Sequence, residues 1–150
     1  MIIRETVKRE LNLKEILMII AIVGLLALVA GLALNNSQRN NRDTVRITDV
    51  VQMQNALELY YFNCNKYPTE VKPGGVIGDE QCGGPYLSYV PIDPGTNSPY
   101  YYLPCIGSGP YTCKAGLAEA TSYQLYYSIE GKAGRVPKGN HIAVPGKLYQ

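Results

Sequence analysis

The sequence predicts an α+β protein in which a long N-terminal α-helix packs on a small antiparallel β-sheet. Three observations lead to this prediction. Residues 1–62 contain no proline or cysteine and two glycines, whereas all ten prolines and all four cysteines follow residue 62. Residues 16–34 are apolar, and residues 42–62 repeat apolar side chains at helical spacing. Short alternating segments then follow, so a helix should precede a turn-rich sheet.

The composition limits the class of protein. A length of 150 residues suits one hydrophobic core. A hydrophobic fraction of 46% with 17% charged residues excludes an intrinsically disordered chain, and a net charge of +2 offers no basic face for nucleic acid. The single histidine, His141, excludes zinc sites that need two histidines.

Residues 16–34, the apolar segment, form a run of nineteen residues without a charge. A helix of this length spans about 28 Å, enough to cross a bilayer, which predicts a transmembrane first half for the long helix. A secretory signal peptide cleaved after Ala33 is the competing interpretation. The run exceeds the usual apolar core of signal peptides, about 7 to 15 residues, so we favour the membrane span.

The second half of the helix is predicted to be amphipathic. Its apolar positions recur at spacings of three and four: Ile47, Val50, Met53, Leu57, Tyr60 and Tyr61. The polar residues are expected on other faces: Asp43, Arg46, Asp49, Gln52 and Glu58. Residues 11–62 would then form one helix of roughly 78 Å, whose second half lies on a small domain and whose first half needs lipid or other copies around it.

Short strands are predicted in the second half of the chain. The clearest is residues 123–129, where Tyr123, Leu125, Tyr127 and Ile129 alternate with Gln124, Tyr126 and Ser128. The other predicted strands are residues 100–103, the region around Cys113 and an edge strand at residues 141–144. Four prolines, Pro91, Pro94, Pro99 and Pro104, confine residues 90–105 to loops and strand ends.

The four cysteines, Cys64, Cys82, Cys105 and Cys113, indicate disulfides in an oxidising compartment outside the cytoplasm. Three pairings are possible, and we favour Cys64 with Cys82 and Cys105 with Cys113. The first would fasten the helix end to the next loop, and the second would close a hairpin around residues 107–109. The spacings contain no C-x-x-C unit of the kind that binds zinc.

Catalytic patterns are weak, so we do not expect an enzyme. His141 has no neighbouring residues that mark a triad, and residues 107–109 lack the G-x-S-x-G spacing. Asp79 and Glu80 stand in a glycine-rich loop, where solvated charges are the ordinary case.

Residues 11–26, LNLKEILMIIAIVGLL, resemble the N-terminal segment of type IV pilins and type II secretion pseudopilins, with Glu15 matching the family's glutamate. Residues 42–69 are similar to the solvent-side helix and YPT turn of major pseudopilins, to which the chain is most similar. Residues 89–94, YVPIDP, and 123–130, YQLYYSIE, resemble later elements of the same family. The family's peptidase cuts after a glycine, and Glu10 stands at that position.

The resemblance implies a pilin-like fold and a structural subunit of a type IV pilus-like or pseudopilus filament that polymerises through its N-terminal helix. Glu15 would meet the amino terminus of a neighbouring subunit, at Leu11 if residues 1–10 are removed as a leader. Alternatively, Glu15 is an ordinary interfacial residue at the edge of the apolar segment. Gly24 and Gly31 could allow close helix packing, since Ala27 and Gly31 form a small-xxx-small pair, or local unwinding on assembly. The alternative is that they reflect the ordinary frequency of glycine in membrane helices.

The partners implied by the resemblance are other copies of the chain, the membrane, prepilin peptidase and an assembly platform, without nucleic acid. The chain would cross the cytoplasmic membrane once, with its C-terminal module in the periplasm or on the cell surface. We expect no cofactor. Major pseudopilins often bind calcium in a late loop, but the required run of aspartates is absent here, so Asp93 and its neighbours are weak candidate ligands.

The predicted boundaries are a polar leader-like segment at residues 1–10, a filament-core helix at 11–35, an amphipathic helix at 36–62 and a disulfide-stapled module at 63–150. Two alternatives stay open: a membrane-anchored binding module that does not polymerise, and a secreted disulfide-stapled domain. The mature N-terminus discriminates them. A mature chain that begins at Leu11 would support the filament, and one that begins at Met1 would leave both membrane-anchored forms open. A mature chain that begins at Leu34 would support the secreted domain.

Overall fold

The fold follows the predicted order of one long helix and then short strands. A computed structural model describes residues 12–107, 113–115 and 119–148. Helix α1 spans Leu13–Cys64, and antiparallel strands follow it, which confirms the α+β prediction. Two compact units divide the chain, Met1–Ser37 and Gln38–Gln150. The described part of the first unit is almost entirely helix, and the second contains the sheets.

The second unit contains two sheets, both antiparallel. Strands β1 (Ile77–Asp79) and β2 (Gly83–Leu87) form a small hairpin. Strands β3 (Tyr101–Ile106), β4 (Lys114–Ala115), β5 (Ser122–Ile129) and β6 (Gly139–Ala143) form a four-stranded sheet in the order β4-β3-β5-β6. The strands predicted from sequence all fall in this second sheet. The hairpin was not predicted, because its short, glycine-rich segments lack a two-residue alternation.

The hydrophobic core lies between α1 and the inner face of the four-stranded sheet. From the helix, Val50, Met53 and Leu57 are fully buried, each with 0% exposure. From β5, the predicted inward set is buried: Tyr123, Leu125, Tyr127 and Ile129. Burial of these apolar faces against each other is the main source of stability that attaches the helix to the sheet.

Two charged helix residues lie elsewhere than predicted. Asp43 and Arg46 were expected on faces away from the domain, but their exposed fractions are 0% and 2%. The positions 43, 46, 50, 53, 57 and 60 recur at steps of three and four, so the charged pair continues the buried stripe along the same helix face. Their burial is possible because they pair with other charges, as described below.

Two disulfides connect the second unit, Cys64–Cys82 and Cys105–Cys113, which are the pairs favoured from the sequence. Cys64 is the last residue of α1, and Cys82 lies in the turn between β1 and β2. Asp79, in the same hairpin, accepts a hydrogen bond from the Tyr60 hydroxyl at 3.1 Å. The helix end is therefore fastened to the hairpin by one covalent bond and one hydrogen bond.

Removing the helix-end disulfide should destabilise the second unit more than removing the other. The Cys64–Cys82 bond closes a sequence separation of 18 and the Cys105–Cys113 bond one of 8, and the entropic model then gives losses of about 3 and about 2.5 kcal/mol. Urea unfolding of a 38–150 fragment carrying Cys64→Ser with Cys82→Ser measures the first loss. The Cys105→Ser, Cys113→Ser pair is the matched control. Unchanged unfolding midpoints in the first variant would contradict the expectation.

Candidate functional site

The apolar segment lies in the first unit and carries exposed side chains along its length. Its 18-residue window of highest mean hydropathy, 3.0, is 0% buried within the described chain. Individual exposed fractions are large, for example 65% for Leu25 and 64% for Leu28. Among the described residues this is the one helix long and apolar enough to cross a membrane.

Glu15 lies in the first turn of α1, directly before the apolar segment. Its Oε2 accepts a hydrogen bond from the backbone N–H of Asn12 at 3.2 Å, and the N–H groups of Glu15 and Ile16 donate to the Asn12 carbonyl. A glutamate at the third helical position that bonds back to the N-cap residue is half of a capping box. Within one chain, the carboxylate therefore acts as a helix cap. Leu11, the other predicted assembly residue, lies outside the described residues, as does the leader-like segment.

The small residues Gly24, Ala27 and Gly31 lie on exposed parts of α1. A methyl group placed on Gly24 or Gly31 would meet nothing within 4 Å. Within a single chain these glycines therefore relieve no crowding, and their role in helix packing stays a prediction.

A partly buried cluster of charges connects the part of α1 in the second unit to the loop at Asp93 and to Glu130. Its members are Arg42, Asp43, Arg46, Asp93 and Glu130, the charged cluster. The Arg46 guanidinium binds Asp93 with two hydrogen bonds, Nε to Oδ2 at 2.6 Å and Nη2 to Oδ1 at 2.9 Å. Its Nη1 contacts Asp43 Oδ1 at 2.9 Å and Glu130 Oε1 at 2.8 Å. One guanidinium thus joins three carboxylates.

Backbone amides complete the charged cluster. Asp43 accepts the N–H groups of Glu130 and Gly131 at 2.9 and 2.8 Å, and Asp93 accepts those of Gly95 and Thr96. No buried side-chain nitrogen or oxygen in the described chain lacks a partner. Gly95 allows the close approach, because a Cβ there would lie 2.5 Å from Arg46 Nη2. Full hydrogen bonding is the condition under which such charges can be buried.

Contacts in the cluster shift the pKa values of Asp93, Glu130 and Arg46. Burial raises the pKa of Asp93, but the hydrogen bonds from Arg46 and the two amides outweigh it and lower that pKa to about 2. The hydrogen bond from Arg42 lowers the pKa of Glu130 to about 2. The hydrogen bond to Asp93 raises the pKa of Arg46. The folded chain therefore favours the charged forms of Asp93, Glu130 and Arg46.

Asp93 does not fit a calcium site. Calcium binds through carboxylate and carbonyl oxygens, usually six to eight of them. Both Asp93 oxygens already accept hydrogen bonds from Arg46. In the described part of the chain, no group of three or more histidine, cysteine, aspartate or glutamate side chains could hold a metal ion.

A cleft of about 480 Å³ lies beside the four-stranded sheet, and its lining includes Asp93 and Tyr100, whose side chains hydrogen-bond to α1. Its lining also includes Tyr101, Tyr126, Asn140 and Ile142 from the strands and Thr96 and Pro99 from the preceding loop; we call it the tyrosine cleft. Tyr101 pairs with Tyr126, and Tyr126 with Ile142, in the registers of adjacent strands. The two tyrosine rings lie 5.4 Å apart. The cleft therefore combines tyrosine rings with polar side chains such as Ser128 and Asn140.

The site residues predicted from sequence fall in two places. Glu15 and the glycines lie in the first unit, and the cysteines lie in the second. Sequence reasoning missed the charged cluster and the tyrosine cleft. The sequence contained one indication of the charged cluster: Asp43 and Arg46 continue the three- and four-residue spacing of the buried positions of α1. The cleft had none, because residues from a loop and three strands form it.

Comparison with known proteins identifies a relative. Type II secretion system core protein G of Aeromonas hydrophila is 29% identical to this chain over 102 residues, which cover 61% of the chain and 70% of that protein. This similarity confirms the resemblance to the major pseudopilin that the sequence predicted. No family model and no solved structure matches the chain.

Replacing Arg46 with methionine should destabilise the second unit by about 3 to 5 kcal/mol, because it leaves Asp43 and Asp93 buried without their positive partner. Arg39→Met is the matched control, since Arg39 lies on the same helix but is exposed. Its effect should stay within about 0.5 kcal/mol. Urea unfolding of the 38–150 fragment measures both values. Equal losses in the two variants would show that the cluster does not attach the helix.

Acid should destabilise the second unit as the pH falls from about 4 towards 2. Unfolded aspartate and glutamate titrate near pH 4, whereas Asp93 and Glu130 titrate near 2 when folded. A lowered folded pKa contributes stability above the unfolded pKa and loses it as the pH falls through the folded one. For Asp93 this loss is on the order of 2 kcal/mol. Urea unfolding at several pH values measures it, and Asp93→Asn should flatten the profile. An equally steep profile in Asp93→Asn would contradict this assignment.

Proposed function

We propose that this chain is a structural subunit of a type II secretion pseudopilus, held in the membrane by its apolar segment before assembly and polymerised through the same segment. One observation carries the proposal: a folded, disulfide-containing unit follows a helical segment whose apolar side chains are 0% buried in its own chain. Similarity to a protein named as a type II secretion system core protein supports this function over other anchored modules.

The physical argument begins with the uncovered apolar surface. Soluble monomers rarely expose contiguous apolar patches larger than a few hundred Å², so this segment needs cover. Lipid provides that cover before assembly, and neighbouring copies of the same helix provide it in a filament. The second unit needs no such cover, because the apolar stripe of its helix is buried against its own sheet.

A structural role requires no catalytic group, and the residues considered for chemistry have structural contacts. The His141 Nε2 lies 2.8 Å from the Pro137 carbonyl oxygen, and the Tyr127 and His141 rings lie 5.5 Å apart. Asp79 accepts hydrogen bonds from the Tyr60 hydroxyl and from the backbone of its own turn. These contacts support a subunit whose surfaces, rather than an active site, perform its function.

Glu15 has two possible roles in assembly, and they predict different variant behaviour. As a helix cap it needs only an acceptor oxygen, which glutamine also supplies, and the capping box accepts either residue. As the partner of a neighbouring subunit's positive charge it needs its negative charge. In that case loss of the buried pair costs about 3 to 5 kcal/mol per subunit.

We expect the charge-pairing role, so Glu15→Ala and Glu15→Gln should both abolish filament assembly while leaving membrane insertion intact. Membrane insertion depends on the apolar segment, and removing a charge from the edge of that segment does not make insertion less favourable. Immunoblots of sheared surface or periplasmic filaments and of membranes measure the two properties. Glu80→Gln, an exposed carboxylate in the second unit, is the control.

Two outcomes would contradict the charge-pairing role. Normal filaments from Glu15→Gln with loss in Glu15→Ala would assign Glu15 to helix capping alone. Normal filaments from both variants would remove Glu15 from assembly. Loss of the protein from the membrane fraction as well would show that the substitution acts on insertion or stability.

A further inference from the structure

Three cations lie in the β5–β6 hairpin, the segment of residues 130–138 that joins these two strands. Lys132, Arg135 and Lys138 are all exposed. Two backbone hydrogen bonds of 3.0 and 2.9 Å close the turn at the tip of the hairpin, and Val136 beside that turn is 3% exposed. The hairpin is therefore held by its backbone and by one buried side chain, while its cations face solvent.

This hairpin lies at the end of the second unit where that unit's part of α1 begins. Near the start of β5, the Tyr123 hydroxyl donates to Glu58 at 3.4 Å. Directly after the end of β5, Glu130 pairs with Arg42 at 2.6 Å. Strand β5 thus runs antiparallel to this part of α1, and the residues that follow Glu130 continue past the beginning of that part.

Arg39 adds a fourth cation at the same place. It is exposed, and it precedes Arg42 and Asp43 by three and four residues, so it shares their face of the helix. A Cβ on Gly131 would lie 3.7 Å from Asn40 Oδ1, which places the start of the hairpin beside this turn of α1. Four cations form what we call the basic surface: Arg39, Lys132, Arg135 and Lys138.

The acidic groups near the basic surface are already paired. Residues 38–46, 93–98 and 130–138 contain six basic and three acidic residues, and the three carboxylates all bind the arginines of the charged cluster. Within the described residues, no ion pair includes a member of the basic surface. The rest of the second unit contains four basic and six acidic residues. Excess positive charge is therefore confined to this end.

Chain connectivity keeps this end close to the apolar segment. Arg39 follows residue 34 by five residues, which span about 8 Å as a helix and at most about 18 Å when fully extended. An apolar segment that spans a bilayer ends at the headgroup region. Anionic headgroups attract lysine and arginine side chains there, and the attraction decays over about 8 to 10 Å at moderate salt.

We propose that the basic surface binds the anionic headgroups of phospholipids while the chain is anchored in a membrane. Guanidinium and ammonium groups bind phosphate oxygens through charge-assisted hydrogen bonds. An acidic protein would also match the charge, but only a membrane is brought close by the chain itself. The inference rests on the proposed function, because it requires the apolar segment to hold the chain in the membrane before assembly.

Photo-crosslinking of the full-length chain in vesicles tests this binding. Benzoylphenylalanine replaces Pro137, an exposed residue of the β5–β6 hairpin. The vesicles contain equal amounts of phosphatidylglycerol, which is anionic, and phosphatidylcholine, which has no net charge. Mass spectrometry of the crosslinked peptide counts the adducts of each lipid. Flotation of the vesicles separately measures whether the apolar segment anchors the chain, which is part of the proposed function.

We expect phosphatidylglycerol adducts to outnumber phosphatidylcholine adducts by about fivefold or more, the effect of one basic side chain close to an anionic surface. Sodium chloride at about 0.5 M should bring the ratio close to one, because salt screens exposed charges. The same salt should leave flotation unchanged, since an apolar segment anchors the chain without charge.

Two variants with the same loss of charge locate the effect. The first variant changes three residues of the basic surface and should also bring the ratio close to one: Lys132→Gln, Arg135→Gln and Lys138→Gln. The matched control changes three exposed lysines elsewhere in the second unit and should keep the ratio: Lys66→Gln, Lys72→Gln and Lys114→Gln.

Four results would overturn the proposal. Equal adducts of the two lipids in the chain with an intact basic surface, with normal flotation, would reject headgroup binding and keep the membrane anchor. Equal losses in the two triple variants would reject the basic surface as the site. Crosslinks from position 137 to another copy of the chain in place of lipid would assign this surface to a protein partner. Failure of the chain to float with the vesicles would reject the anchor, and the inference with it.

Discussion

The buried guanidinium of Arg46 is the constraint on which the arrangement of the second unit depends. It joins three segments that are distant in sequence: the helix through Asp43, the loop at Asp93 and the end of β5 at Glu130. The charged cluster contains three carboxylates and two guanidinium groups, and backbone amides stabilise the excess negative charge. A displaced partner would leave a buried charge unpaired, which is strongly destabilising, so the cluster opposes any shift of the helix along the sheet.

On the C-terminal side of the charged cluster, apolar side chains and tyrosines continue the contact between α1 and the four-stranded sheet. Val50, Met53 and Leu57 are buried against β5, and tyrosines place their rings in the core and their hydroxyls at its edge. The Tyr67 hydroxyl donates to Glu58 at 3.0 Å, and that of Tyr100 to Asp49 at 2.9 Å. A core rich in tyrosine therefore stays fully hydrogen-bonded, and two carboxylates of the helix become part of its attachment.

The two parts of helix α1 thus differ in what covers their apolar side chains. From Asp43 to Cys64, α1 is a component of a folded domain whose apolar stripe is covered by its own chain. From residue 16 to residue 34 it carries apolar side chains that its own chain does not cover. A subunit of this kind can fold before it assembles, because the contacts that fold it and the surfaces proposed to assemble it use different residues.

The sequence by itself determined the helix, the position of its apolar segment, the inward set of β5 and the resemblance to pseudopilins, because periodicity and hydropathy are local properties of the chain. Tertiary structure decided what depends on residues far apart. Asp43 and Arg46 are buried only because Asp93 and Glu130 arrive beside them, and polarity alone had placed them on other faces. Likewise, the tyrosine cleft exists only where strand register brings Tyr101, Tyr126 and Ile142 into one row beside a loop. Local residue spacing predicts neither charge pairing across more than forty residues nor the register of three strands.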